Sequence, residues 1–178
     1  FYDRGSGFCI FNDIAICAIK AIDYHNFRKI LIIDLDVHQG DGTASILNDR
    51  KDIYTFSMHC EKNFPFKKVK SDLDVALEEK ITDDEYLQKL SLNLDSLDNI
   101  KSDIIFFQAG VDTHSSDRYG KLNLSSEGLD RRNKLVYNFA HKRKNPLLIF
   151  MGGGYGIPIS RTVDAFFKMF TFFSSYKF

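Results

Sequence analysis

Positions 34, 36 and 38 are Asp, Asp and His, and a turn rich in glycine and aspartate, Gly40–Asp41–Gly42, follows. The run Ile30–Ile33 before them is apolar, as the start of a buried strand should be. Side chains alternate along a strand, so Asp34, Asp36 and His38 project the same way. Two carboxylates crowded into a low-dielectric site repel each other and draw a proton to one of them. A divalent cation removes that penalty. One histidine with two carboxylates suits zinc, provided a third carboxylate arrives from elsewhere. In "QAGVDTHSSDRYG", either Asp117 or Asp112 can supply it. The alternative is a set of turn caps, because Asp and His near strand ends often only satisfy backbone groups.

The elements that must position these residues are legible in the hydrophobic pattern. Strands are expected over 29–34, 52–59, 103–110 and 146–154, and helices over 12–25, 40–47, 82–100 and 126–143, with a last helix from about Ile159. Thr82 and Glu85 have the spacing of a capping box, and Leu90, Leu94 and Leu97 form a stripe. Strands alternating with helices imply βα units and a mainly parallel sheet. Ligands of such sheets bind beyond the carboxyl ends of the strands. Those ends carry Ser57, Met58 and His59, the Asp112–Asp117 segment, and Tyr155 behind the Gly152–Gly154 run. Glycines there permit close backbone approach to a ligand.

Composition bounds the function. The chain has 178 residues, 44% hydrophobic and 27% charged, which suits one domain with a sizeable core. Basic and acidic residues balance at 24 each, so the footprint of a direct nucleic-acid binder is absent. The phenylalanine-rich tail is too short and too interrupted by Lys168 and serines for a membrane span, and reads as a core-packing helix. Three cysteines without CxxC spacing, Cys9 among them, read as packed or incidental thiols in a reducing, intracellular compartment, cytoplasmic or nuclear. The lysines near 67–70 read as a solvated face. "LIIDLDV" also fits the apolar-strand-then-DxD pattern of magnesium-dependent phosphatases, with Asp34 as nucleophile and Asp36 as acid/base. That chemistry has no use for His38, for "GDG" or for a tyrosine after a glycine run.

Taken together, "GSGFCIFND", "IIDLDVHQGDG", "FSMH", "QAGVDTHSSDRYG" and "GGGY" resemble, in order and spacing, the zinc-dependent histone deacetylase family, nearest its class IV and bacterial members. The resemblance implies a three-layer arginase/deacetylase-type α/β fold with a mainly parallel sheet. It implies hydrolysis of the amide bond of acyl-lysine, in an acetylated lysine peptide or another acylated amine. Position by position, it makes Asp36, His38 and Asp117 the Zn²⁺ ligands and Tyr155 the donor to the acyl carbonyl. Asp34 and Asp41 match carboxylates that orient catalytic histidines. Gly7, Phe8, Phe64, Gly153 and Gly154 match the walls of a substrate tunnel. Asp34, Asp36, His38, Ser57 and Met58 match a structural K⁺ site.

The chemistry is consistent with that set. Two aspartates nearly cancel the charge of Zn²⁺, so its water is less acidified than one held by neutral histidines alone. A separate base and an oxyanion donor must then share the work. The family supplies its base as an adjacent histidine pair just upstream of the GFC motif. Here the chain begins "FYDRGSGFC", and its histidines, 25, 38, 59, 114 and 141, include no adjacent pair. The expectation is therefore a C-terminal portion of the catalytic domain, with the fold incomplete on its N-terminal side and the chain inactive alone. The alternative is a non-catalytic metal-binding or interaction remnant of a deacetylase.

Overall fold

A computed structural model describes residues 1–175. Five strands, β1 (Ile30–Asp34), β2 (Ile53–Cys60), β3 (Leu73–Leu77), β4 (Ile104–Gln108) and β5 (Leu147–Phe150), form one sheet in the order β3-β2-β1-β4-β5, every pairing parallel. The five helices are α1 (Asp13–His25), α2 (Asp41–Leu47), α3 (Asp83–Leu97), α4 (Ser126–Lys142) and α5 (Ser160–Ser174).

The central strand β1 is buried along its whole length, which explains its unbroken apolar run. Alternation divides it between two cores. Ile30 and Ile32 pack with Ile53, Phe106 and Phe150 under Ile14, Ala15 and Ala18 of α1. Leu31 and Ile33 pack on the opposite face with Phe56, Phe107, Leu90 and Leu94 of α3, Val136 of α4 and Met169 of α5. The result is three layers, helix–sheet–helix, with β1 at the centre. Ile33 is fully buried there, so Ile33→Ala should lower the unfolding free energy by about 2–5 kcal/mol in a denaturant titration.

Local signals account for most boundaries. Asn12 caps α1 by accepting the Ala15 N–H, and Thr82 with Glu85 forms the expected capping box of α3. Four expectations are corrected. β3 had no assignment, although Leu73, Val75 and Leu77 alternate with outward-facing Asp74 and Ala76, because the run is short and only one of its faces is apolar. β5 stops at Phe150, so the glycine run leaves the sheet as irregular backbone. Lys68 is not merely solvated: its Nζ donates to the carbonyls of Glu61, Asn63 and Pro65 and ties that loop together. Cys9 is exposed, not packed. In α5, Phe166, Met169 and Phe173 are buried as the core-packing reading requires, whereas Phe167 and Phe170 face outward; the last three residues of that tail lie outside the described residues. Among the described residues, no helix is long and apolar enough to cross a membrane.

Candidate metal centre

The chain leaves β1 at Asp34 and turns tightly, and the two aspartates shape the turn. Asp34 Oδ1 accepts the Asp36 N–H at 3.1 Å, and Asp36 Oδ1 accepts the His38 N–H at 3.0 Å. The turn-cap reading is therefore right about these oxygens, but it does not account for the rest. His38 Nδ1 lies 2.9 Å from Asp36 Oδ1 and 3.1 Å from Asp112 Oδ2. Asp112 reaches across from the end of β4, and its Oδ1 accepts the Val37 N–H at 2.9 Å. One ligand atom from each of Asp36, His38 and Asp112 falls within 4.8 Å of the others, close enough to bind one cation together.

The electrostatics are those of a site short of positive charge. Burial and the neighbouring Asp36 hold the Asp34 carboxyl well above its ordinary range. Burial and Asp36 likewise push Asp112 up to about 7. Burial alone would lower His38, but its hydrogen bonds to Asp112 and Asp36 outweigh that and raise it to about 10. For Asp36 burial is again opposed, and the bond from His38 wins, leaving its carboxyl below the usual range. His38 Nδ1 faces both carboxylates, at the place a cation would share with them.

Glycines let the backbone press against these carboxylates. Asp36 Oδ2 accepts the Gly153 N–H at 2.8 Å, joining the β5 exit to the β1 turn. A Cβ on Gly152 would lie 2.7 Å from that same oxygen, and one on Gly153 would collide with the Asp112 carboxylate. Gly153→Ala should therefore displace Asp112 and lower zinc affinity by about tenfold or more, while circular dichroism stays native. Unchanged affinity would mean that Asp112 is not held where the geometry has it.

The remaining candidate residues fall into two groups. Asp34 lies opposite Ser57 and Gln108 in register, on the α1 side of the sheet, and Met58 is fully buried on the other face. Asp41 opens α2, and its Oδ1 accepts the Gly42 N–H at 2.8 Å. Asp117 stands apart from the three-residue cluster. Its Oδ1 accepts the N–H groups of Tyr119 and Gly120 at 2.8 Å each, and its Oδ2 accepts the Tyr155 N–H at 2.6 Å. The carboxylate in contact with His38 from the loop after β4 is Asp112; the resemblance assigns the third ligand to Asp117.

Tyr155 belongs to an aromatic cluster. Its ring centroid is 5.8 Å from Phe8 and 5.4 Å from Tyr119, which the sequence reading had not singled out. Gly7 and Phe8 form the tip of a tight turn closed by Ser6 and Cys9, both with positive φ, which presents the 82%-exposed Phe8 ring to Tyr155. Phe64 pairs with Phe66, at 6.3 Å between centroids, and makes no ring contact with Phe8 among the described residues. His59, given no role, is buried with its Nδ1 3.0 Å from Ser57 Oγ.

Comparison with known proteins places this geometry. Residues 1–170 match the histone deacetylase domain family. A Picosynechococcus protein is 52% identical over 157 residues, covering 87% of this chain and 52% of that protein. Histone deacetylase 2 of Arabidopsis thaliana is 34% identical over 157 residues, covering 86% of this chain and 41% of that protein. The crystal structure of an HDAC homolog complexed with SAHA superposes with a TM-score of 0.74 at 25% identity, covering 87% of this chain and 44% of the other. The chain belongs to the histone deacetylase family, and its parallel sheet and flanking helices are that family's α/β fold. It spans about half the length of the curated relatives it matches. This membership separates it from the DxD phosphatases. Asp34 would also make a poor nucleophile, being 6% exposed with its Oδ1 turned back onto the Asp36 N–H.

Proposed function

We propose that this chain is the metal-binding part of a zinc-dependent deacetylase acting on acyl-lysine or a related acylated amine. The observation that carries the reading is the meeting of Asp36, His38 and Asp112 around one point at the strand ends, under the glycine run that leads to Tyr155. Asp36 and His38 would hold Zn²⁺ with one further carboxylate, either Asp112, which touches His38, or Asp117, which the resemblance assigns. A bound zinc would polarise the acyl carbonyl and acidify a water. The chain's own residues supply the rest. Tyr155 offers a hydroxyl to the developing oxyanion. Phe8, with Tyr119 and Phe64 on neighbouring loops, forms apolar walls for a lysine stem and excludes water. Asp34 and Asp41 are the carboxylates available to orient a histidine pair, and Asp34 with Ser57 offers oxygens to a structural K⁺. A relative's complex with SAHA agrees with an acylated-amine ligand.

The test is a zinc titration of the chain in buffers of different ionisation enthalpy. His38 and Asp112 must both lose protons to become ligands, with pKa values raised to about 10 and about 7. Binding of one zinc should release about one to two protons near pH 7, and affinity should fall steeply as the pH drops below that range. If Asp117 replaces Asp112, the release should be nearer one. No tight zinc site at pH 8 would overturn the proposal.

A further inference from the structure

Arg132 is a fully buried guanidinium on α4, and the only one among the largest fully buried side chains of the described residues. It lies on the helix face that also carries Leu129, Val136 and Ala140, where an apolar residue would be ordinary. A buried cation is costly unless something specific compensates it, yet among the described residues no carboxylate bonds to Arg132. Its Nη1 donates to the Gly110 carbonyl at 2.7 Å, with longer contacts of 3.4 Å each to the Leu35 carbonyl and Thr113 Oγ1. Nη2 donates to Asn133 Oδ1 at 3.0 Å and reaches the Ala109 carbonyl at 3.4 Å, and Nε donates to Asn133 Oδ1 at 3.2 Å. The guanidinium carbon stands 5.6 Å from the centre of the Phe107 ring.

The identity of those partners is informative. Leu35 immediately precedes Asp36. Ala109 and Gly110 lead into Asp112, and Thr113 follows it. One planar fork thus grips the exits of β1 and β4 at once, from the side of the sheet opposite α1. Gly110 is also the residue whose Cα faces Gly152 and the Asp36 carboxylate, so a shift there moves both ligand-bearing turns. A lysine could keep the charge but not span these carbonyls.

We infer that Arg132, steadied by Asn133, is a positioning residue that fixes the Asp36 turn and the Asp112 turn relative to one another for metal binding. It touches neither metal nor substrate. This inference rests on the zinc reading above, and its test separates the two. Zinc affinity and native-state hydrogen exchange are measured on the wild-type chain and on Arg132→Met, Arg132→Lys and Asn133→Ala. Lys134→Ala, on the exposed face of the same helix, is the control and should leave zinc binding unchanged. Arg132→Met should weaken zinc about 10- to 100-fold, the range for lost support of metal ligands. Arg132→Lys should fall between it and wild type, and Asn133→Ala should shift in the same direction. Exchange should quicken at the amides of Val37, Val111 and His114 and not in α3. A folded Arg132→Met with wild-type affinity and wild-type exchange overturns the inference. Should that variant fail to fold, Arg132→Lys decides, and unchanged affinity in it overturns the inference. If the wild-type chain binds no zinc, the zinc reading fails, and quickened exchange confined to these turns still upholds Arg132 as their anchor.

Discussion

His38→Ala should weaken zinc binding by the chain more than about 100-fold, beyond the loss expected for a residue that only supports ligands. His38 provides the nitrogen of the set, and its Nδ1 sits 2.9 and 3.1 Å from the Asp36 and Asp112 oxygens. Its removal leaves Asp34, Asp36 and Asp112 facing one another with less compensating charge. Burial and mutual repulsion already push Asp34 and Asp112 toward their protonated forms. The variant should therefore hold protons where the wild-type chain would hold metal. Asp36→Asn should lose zinc similarly. The third carboxylate is decided by a matched pair. On the geometry of the chain, Asp112→Asn should cost more than Asp117→Asn, because Asp112 contacts His38 whereas Asp117 caps the Tyr119 and Tyr155 N–H groups. Competition titration with a chelator reads each constant. If Asp117→Asn carries the loss and Asp112→Asn keeps the metal, the third position returns to Asp117, and Asp112 becomes the residue that holds His38 in place.

Tyr155→Phe should lower kcat about 10²- to 10³-fold with zinc content unchanged, the usual consequence of losing one oxyanion donor. The Tyr155 side chain is 44% exposed, and its hydroxyl makes no hydrogen bond within the described residues, so the donor is available to a ligand. Its backbone is fixed by the N–H bond to Asp117, and its ring by Phe8 and Tyr119. The loss should thus be chemical and not a collapse of the loop. The assay needs a base, and the 178 residues contain no adjacent histidine pair. The proper comparison is the chain alone, expected to show little or no turnover of an acetyl-lysine peptide, beside a longer form carrying such a pair upstream. The Tyr155 variant is made in the longer form. Near wild-type turnover there would exclude the oxyanion role, and robust turnover by the chain alone would require a base among these residues.

The sequence by itself determined the parallel α/β architecture, because period-two and helical patterns alternate and β1 is apolar on both faces. The ordered motifs were enough to indicate the family, but the shared facing of Asp36 and His38 was not a matter of strand alternation, because the chain has left β1 and turned before it reaches them. Local chemistry told the cap of α3. Contacts between distant segments were another matter. Which carboxylate meets His38 depends on how the loop after β4 folds: Asp117 bonds the N–H groups of Tyr119, Gly120 and Tyr155, while Asp112 bonds the Val37 N–H and faces His38. No spacing rule ranks those competing bonds. β3 was hidden because an edge strand needs only half an apolar face. Arg132 had a faint signal, a charge on the buried stripe of α4, but helical periodicity alone would read it as a surface residue. Only the packing of α4 over the ends of β1 and β4 turns its guanidinium toward the backbone carbonyls beside Asp36 and Asp112. The separation has a physical cause. Hydrophobic burial is encoded locally and averages over many residues, whereas a polar site is decided by a few directional bonds that exist only once distant strand ends are brought together.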